Sequence, residues 1–171
     1  PGAVGADRPQ PQLGRDDGER RGGVVALRGG ARTRGVREQF AEALLFPNSG
    51  PVLTRLGQAL LEQGDAVPAA EALAVAVKTD PSNAVARVLL SRAWLSAGEV
   101  ERSCAAAQDA VTYSPDDIDA LEAEARCELA LGHPRRALLK LQAARGLEPT
   151  NKRLEDAERR LKETLPEYFA E

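Results

Sequence analysis

The stretch that decides the fold is residues 50–83, GPVLTRLGQALLEQGDAVPAAEALAVAVKTDPSN. Gly64 divides it into two segments of about thirteen residues, each with apolar side chains at helical spacing. Glycine tolerates the positive φ that ends a helix, whereas Pro81 cannot lie inside one and so marks the end of the second segment. The stretch therefore predicts two helices joined by a tight turn.

The same pattern occurs three times along the chain, at a period of 34 residues. The residues that mark this period are Gly64, Gly98, Gly132, Pro81, Pro115 and Pro149. Three columns of small residues share it: Gly57, Ser91 and Ala125; Ala69, Ser103 and Ala137; Ala76, Ala110 and Ala144. Small side chains at fixed phases let helix axes approach to about 8–10 Å. We therefore predict three stacked helix pairs, at 50–83, 84–117 and 118–151.

The period, the helix–turn–helix pattern and the residue spacing resemble the tetratricopeptide repeat. The first block matches best, with Leu53-x2-Leu56-Gly57-x2-Leu60 followed by Ala69, Leu73, Ala76 and Pro81. The resemblance covers residues 50–151 and implies an all-α fold, a right-handed α-solenoid of stacked antiparallel helix pairs. The third block departs from the family pattern, because Glu124 and Glu128 stand where large apolar residues are expected. We expect these two carboxylates to reach solvent or an arginine.

Two further helices are predicted beside the repeats. Residues 36–49 resemble the second helix of a degenerate preceding repeat, since Phe40, Ala43 and Pro47 have nearly the repeat spacing. Residues 152–171 are predicted to form a capping helix and a tail. The apolar stripe of this helix consists of Leu154, Ala157, Leu161 and Leu165. A terminal helix with a polar outer face keeps a stacked array from exposing its core.

The N-terminal segment differs from the rest in composition. Residues 1–35 contain nine glycines, three prolines and seven arginines, and we expect them to be a disordered leader or linker. Residues 1–37 carry a net charge of +4, which leaves −7 for residues 38–171. The Arg-Gly-Gly triplets at 21–23 and 28–30 leave open an RNA-associated adaptor as an alternative function. Two triplets without an interleaved aromatic argue against nucleic acid as the main partner.

The residues needed for catalysis are sparse. His133 is the only histidine, and it is expected in an exposed turn between Gly132 and Pro134. Cys104 and Cys127 lie in predicted helices at core phases, so we expect reduced thiols that act as small apolar fillers. No apolar run approaches the roughly 20 residues that cross a bilayer. We therefore predict a protein that is not an enzyme, binds no cofactor or metal, does not insert into a membrane, and is more typical of the cytoplasm.

The family resemblance implies that the first helices of the pairs line a concave face that binds a segment of a partner protein. At the repeat positions that line this face in the family, this sequence has the candidate groove residues Thr54, Gln58, Leu61, Val88, Arg92, Leu95, Glu122, Arg126 and Leu129. Family members that bind the acidic C-terminal tails of heat-shock chaperones have lysines, asparagines and an arginine at five particular positions. This sequence has Thr54, Gln58, Leu89, Asp119 and Ala123 there. Binding of a chaperone tail is therefore not expected.

Overall fold

The structure is a computed structural model that describes residues 41–169 except 44 and 47. The helices are α1 (Gly50–Gln63), α2 (Ala66–Thr79), α3 (Ala84–Ser96), α4 (Val100–Tyr113), α5 (Ile118–Ala130), α6 (Pro134–Leu147) and α7 (Lys152–Thr164), followed by a 3-10 helix (Pro166–Tyr168). Residues 41–43 and 45 are also helical. The expectations for residues 1–35, and those for Phe40 and Pro47, lie outside the described residues.

Polar caps and left-handed glycines set the helix boundaries. Gly64, Gly98 and Gly132 have φ of 85°, 81° and 78°, a conformation that costs a residue without a Cβ little. The first helices of the second and third pairs, and α7, begin at residues whose side chains accept backbone N–H bonds. These caps are Asn83, Asp117 and Asn151, again spaced by 34 residues. The glycine turns predicted from the sequence are confirmed.

The helices form antiparallel pairs, α1 with α2, α3 with α4 and α5 with α6, and each pair stacks on the next. The first helices also contact one another, α1 with α3 and α3 with α5, so they share one face of the array. All nine members of the three small-residue columns are buried. The predicted all-α architecture of stacked helix pairs is confirmed.

The two ends of the array are covered differently. At the start, Ala43 packs into the apolar cluster of the first pair, and Glu42 forms an ion pair with Arg55 at 2.8 Å. At the other end, α7 packs on α6 through Leu154 and Leu161, both buried. The opposite face of α7 is charged, as expected of a helix that covers an apolar surface. None of the described helices is long and apolar enough to cross a membrane.

The two glutamates of the third block have basic residues as partners, although neither glutamate is fully exposed. Glu124 is only 9% exposed, and its carboxylate lies 2.9 Å from Lys140 Nζ on α6. Glu128 is half-buried, with its Oε2 2.9 Å from His133 Nδ1 and 3.9 Å from Arg136. Their partners are thus a lysine in one case and a histidine with an arginine in the other.

The expectation of reduced cysteines is wrong. Cys104 of α4 and Cys127 of α5 form a disulfide, with their Cα atoms 5.2 Å apart. Both are buried, as expected, but they belong to different repeats, and it is the stacking of consecutive pairs that brings α4 against α5. Disulfides persist mainly in oxidising compartments. Reduced thiols therefore no longer support a cytoplasmic location.

Candidate functional site

A groove runs along the face that the first helices share and continues onto α7. Its smaller part, about 200 Å³, lies between α3, α5 and α7. Its larger part, about 620 Å³, lies between α5, α6 and α7. Both parts are lined by Glu122, Arg126 and Arg153, so they form one continuous surface. We call it the C-terminal groove.

Five of the nine candidate residues line the C-terminal groove. They are Val88, Arg92, Glu122, Arg126 and Leu129. Arg92 and Arg126 project from successive first helices, and both are exposed. The structure therefore brings these five candidates of the second and third repeats together on one surface.

The other four candidates do not line it. Thr54 is buried, and its hydroxyl donates a hydrogen bond to the Gly50 carbonyl at 2.8 Å. The side-chain amide of Gln58 donates to Glu62 on the same helix, at 3.1 Å. Leu61 and Leu95 are half-buried. The first repeat thus contributes none of the lining of the C-terminal groove.

The larger part of the groove has an apolar floor. It is formed by Ala125, Leu129, Ala137, Leu141, Ala157, Leu161 and Leu165. Leu129 is 42% exposed, which leaves a large apolar side chain open to solvent at the edge of the cavity. Apolar concave surfaces with a few polar groups are typical of ligand sites.

An ion-pair network crosses the middle of the groove. Arg126 pairs with Glu122 one turn earlier on α5. Arg153 Nη2 on α7 lies 2.6 Å from Asp119 and 3.0 Å from Glu122, so it joins α7 to α5. The hydrogen bond that Arg153 donates to Asp119, with the nearby charges of Glu122 and Asp119, raises the pKa of Arg153 despite its partial burial. Arginine is protonated at physiological pH, and these contacts favour the charged form further.

Two arginines of the groove are not neutralised in this way. Among the described residues, no carboxylate lies within 4.0 Å of Arg92 or Arg160. Arg92, Arg126 and Arg160 are each 34 residues apart, so Arg160 has the same phase on α7 as the two predicted arginines have on α3 and α5. Arg160 is not among the predicted groove residues, because its helix was expected only to cap the array. Extending the period through residue 160 would have found it.

The described residues offer little reactive chemistry. No group of three or more His, Cys, Asp or Glu side chains among them could hold a metal ion. Both cysteines are consumed by the disulfide, and His133 is exposed beside Glu128. What the groove provides is apolar surface and guanidinium groups, which suit binding.

Comparison with known proteins agrees with the repeat pattern. Residues 60–127 match a family model described as tetratricopeptide repeat. The structure is similar to the first TPR domain of the human RPAP3 protein (20% identity, TM-score 0.65), with 71% of this chain and 95% of that chain covered. It is also similar to MamA (21% identity, TM-score 0.66), with 75% of each chain covered.

A third similar structure contains a bound peptide. It is the first TPR of Spaghetti (RPAP3) bound to the HSP90 peptide SRMEEVD (19% identity, TM-score 0.63), with 69% of this chain and 94% of that chain covered. At these identities the likeness concerns the fold. No curated protein matches the chain in sequence.

Proposed function

This chain is a tetratricopeptide repeat protein, and from that premise we propose that it is a non-enzymatic scaffold or adaptor that binds a segment of a partner protein in its concave face. Tetratricopeptide repeat domains generally mediate protein–protein interactions. One observation carries the proposal. The first helices share a face, and on that face the C-terminal groove combines exposed arginines with open apolar surface.

The arginines suit a binding role because they contribute little to folding where they stand. Arg92 has no carboxylate partner among the described residues, and Arg126 is about half exposed with its partner on the same helix. Surface pairs of this kind stabilise a protein by about 0–1 kcal/mol. At an interface the planar guanidinium forms paired, charge-assisted hydrogen bonds, and arginine is common among the residues that dominate affinity.

The test uses a phage-displayed library of random peptides selected on the full chain. A selected peptide is then titrated by fluorescence anisotropy against the wild type and against the double variant Arg92→Ala/Arg126→Ala. We expect the double variant to keep its melting temperature within a few degrees and to bind at least about fivefold more weakly, which corresponds to about 1 kcal/mol.

The control is Arg136→Ala/Lys152→Ala, which removes two exposed positive charges outside the groove. It should bind the peptide as the wild type does. If no peptide is selected, or if the groove variant and the control behave alike, the concave face is not the binding surface.

The partner is not expected to be the acidic tail of a heat-shock chaperone. At the positions where tail-binding family members have their lysines, asparagines and arginine, Leu89 and Ala123 are buried apolar residues. At a third such position, the Asp119 carboxylate is paired with Arg153. A neutral or negative group there gives no attraction for a terminal carboxylate. Titration with an HSP90-type peptide ending in Glu-Glu-Val-Asp should detect no binding that depends on its terminal carboxylate.

The alternative of an RNA-associated adaptor depends on residues 1–35, which lie outside the described residues. It stays a prediction from the sequence, and deletion of those residues with measurement of single-stranded RNA binding at several salt concentrations tests it. No observation of the groove favours it over a protein partner.

A further inference from the structure

The larger part of the C-terminal groove places an unneutralised arginine beside an apolar cavity, and both belong to the side of the groove that α7 forms. We propose that the larger part of the C-terminal groove binds an amphipathic segment of a partner protein. This segment inserts one large apolar side chain between α5 and α7 and places an acidic side chain against Arg160. The proposal rests on the function proposed above, and it names the chemistry of the partner.

The apolar half of the proposal follows from the floor of the cavity. Leu129, Ala157 and Leu165 are at least partly exposed there, whereas Leu154, which belongs to the same apolar stripe of α7 as Ala157 and Leu165, is completely buried. The cavity volume of about 620 Å³ lies within the usual range for ligand sites, about 300–1,000 Å³. A leucine or phenylalanine side chain placed there removes this apolar surface from water, which is the main source of favourable binding energy.

The charge of the second group follows from which side chains are already paired. Glu122 pairs with Arg126 and Arg153, and Asp156, which also lines the larger part of the groove, pairs with Arg159. Arg160 is exposed, and among the described residues no carboxylate lies within 4.0 Å of it. An acidic side chain therefore gains a charge-assisted bond without breaking an existing pair, whereas a basic one meets an unneutralised like charge.

Charge complementarity also argues against residues 1–35 of the same chain as the segment that binds in the groove. Residues 1–35 carry seven arginines against four acidic residues, so they have the wrong charge for Arg160. A short helix or extended segment of another protein with an apolar and an acidic residue on one face meets both requirements.

The experiment sequences the peptides that a random library yields on the wild type, on Arg160→Glu and on Leu129→Lys. For the wild type we expect selected peptides to share an apolar residue with an acidic residue within one helical turn. Arg160→Glu should exchange the acidic preference for a basic one and weaken a wild-type peptide at least about tenfold. Leu129→Lys should remove the preference for the apolar residue.

Two matched variants show whether these effects are local. Lys152→Glu reverses an exposed charge on the same helix, and Leu139→Lys replaces a leucine that is 63% exposed on α6; neither lines the groove. Both should select the wild-type peptides. The proposal is overturned if the acidic preference survives Arg160→Glu, or if the controls change the selection as much as the groove variants do.

Three further outcomes distinguish a failure of this proposal from a failure of the proposed function. If no peptide is selected at all, the proposed function fails with it. If groove-dependent peptides lack the apolar–acidic pair, the binding function stands and this inference falls. If the wild type dimerises in sedimentation and Leu129→Lys makes it monomeric, the cavity takes a second copy of this chain and the inference is again overturned.

Discussion

The first and third helix pairs have the same architecture but are held together by different chemistry. At the seventh position of its repeat, Leu56 of α1 is 1% exposed within an apolar cluster. At the same phase α5 has Glu124, 9% exposed and paired with Lys140, and α7 has Glu158, 4% exposed and 3.2 Å from Arg145. An apolar side chain in one helix and ion-paired carboxylates in two others thus occupy the same phase of the repeat.

The difference has a consequence for function. Around α1 and α2 most of the large apolar side chains belong to the core cluster, and the first repeat lines no part of the C-terminal groove. Around α5 and α7 charged side chains do part of the packing, so apolar residues such as Leu129 and guanidinium groups such as Arg160 remain at the surface. The end of the array with the poorer apolar core is the end with a candidate binding surface.

The strongest test of this comparison introduces a buried charge into the first pair. Leu56→Glu places a carboxylate within the apolar cluster of the first pair, and burying a charge without a partner is among the most destabilising single changes. We expect a loss of about 4 kcal/mol or more in the free energy of unfolding, measured by urea denaturation with circular dichroism. Leu139→Glu, at an exposed site, should change it by less than about 0.5 kcal/mol. Equal losses in the two variants would contradict the difference in packing.

The disulfide joins the second pair to the third, and so it anchors the pair that contains the buried ion pair. Its cysteines are 23 residues apart, and closing a loop of that size stabilises a fold by about 3 kcal/mol in the chain-entropy account. We expect dithiothreitol to lower the free energy of unfolding by about 2–4 kcal/mol. The variant Cys104→Ala/Cys127→Ala should be less stable and insensitive to the reductant. A wild type that titrates two free thiols under non-reducing conditions would refute the bond.

Gly57 and Ala125 occupy one phase of the repeat, and they test how closely each pair packs. A Cβ at Gly57 would lie within 2.9 Å of three carbons of Leu73, which is fully buried and cannot move aside. We expect Gly57→Ala to cost about 1–3 kcal/mol through overpacking, although alanine is the better helix former.

The control for this change is the same substitution in a Leu73→Ala background. There the added methyl group has room, so Gly57→Ala should be neutral or stabilising. In the third pair a Cβ is already accommodated, and Ala125→Gly should cost about 1 kcal/mol from helix propensity alone. A neutral Gly57→Ala in the wild-type background would show that the first pair is no tighter than the third.

The smallest effect is expected for the reverse exchange. Glu124→Leu gives α5 the residue that α1 has, and replacing a buried ion pair by apolar side chains is often neutral or stabilising. Lys140, about one-third exposed, can turn to solvent. We expect the free energy of unfolding, measured by urea denaturation, to change by less than about 1 kcal/mol. A loss above about 2 kcal/mol would mean that the third pair depends on its ion pair.

Most of the fold was predictable because it depends on a repeated local pattern. The glycines at 64, 98 and 132 have positive φ, and the small-residue columns are buried, as their spacing indicated. Less of the candidate site was predictable. Thr54 has the right phase, yet its hydroxyl is used by its own helix, and Arg160 was overlooked although the period extends to it.

Two buried features had no signal in the repeat pattern. Arg87 has the phase of Leu53 and Leu121 and is buried as they are, with its guanidinium 3.7 Å from the centre of the Tyr113 ring. The face of an aromatic ring attracts a guanidinium, so a charged residue can fill an apolar position. The disulfide is the second such feature. Its cysteines stand at unrelated phases of different repeats, and only the stacking of α4 on α5 makes them neighbours.

The sequence by itself determined the helices, their turns and their stacking order, because helical periodicity, glycine turns and small contact residues act over a few residues and repeat every 34. The tertiary structure decided which polar groups are paired and which remain available. Glu122 pairs with Arg126 on its own helix, and the packing of α7 adds Arg153, whereas no carboxylate among the described residues lies within 4.0 Å of Arg92 or Arg160. An ion pair between two helices depends on the distance between segments far apart in sequence, and the local pattern does not contain that distance.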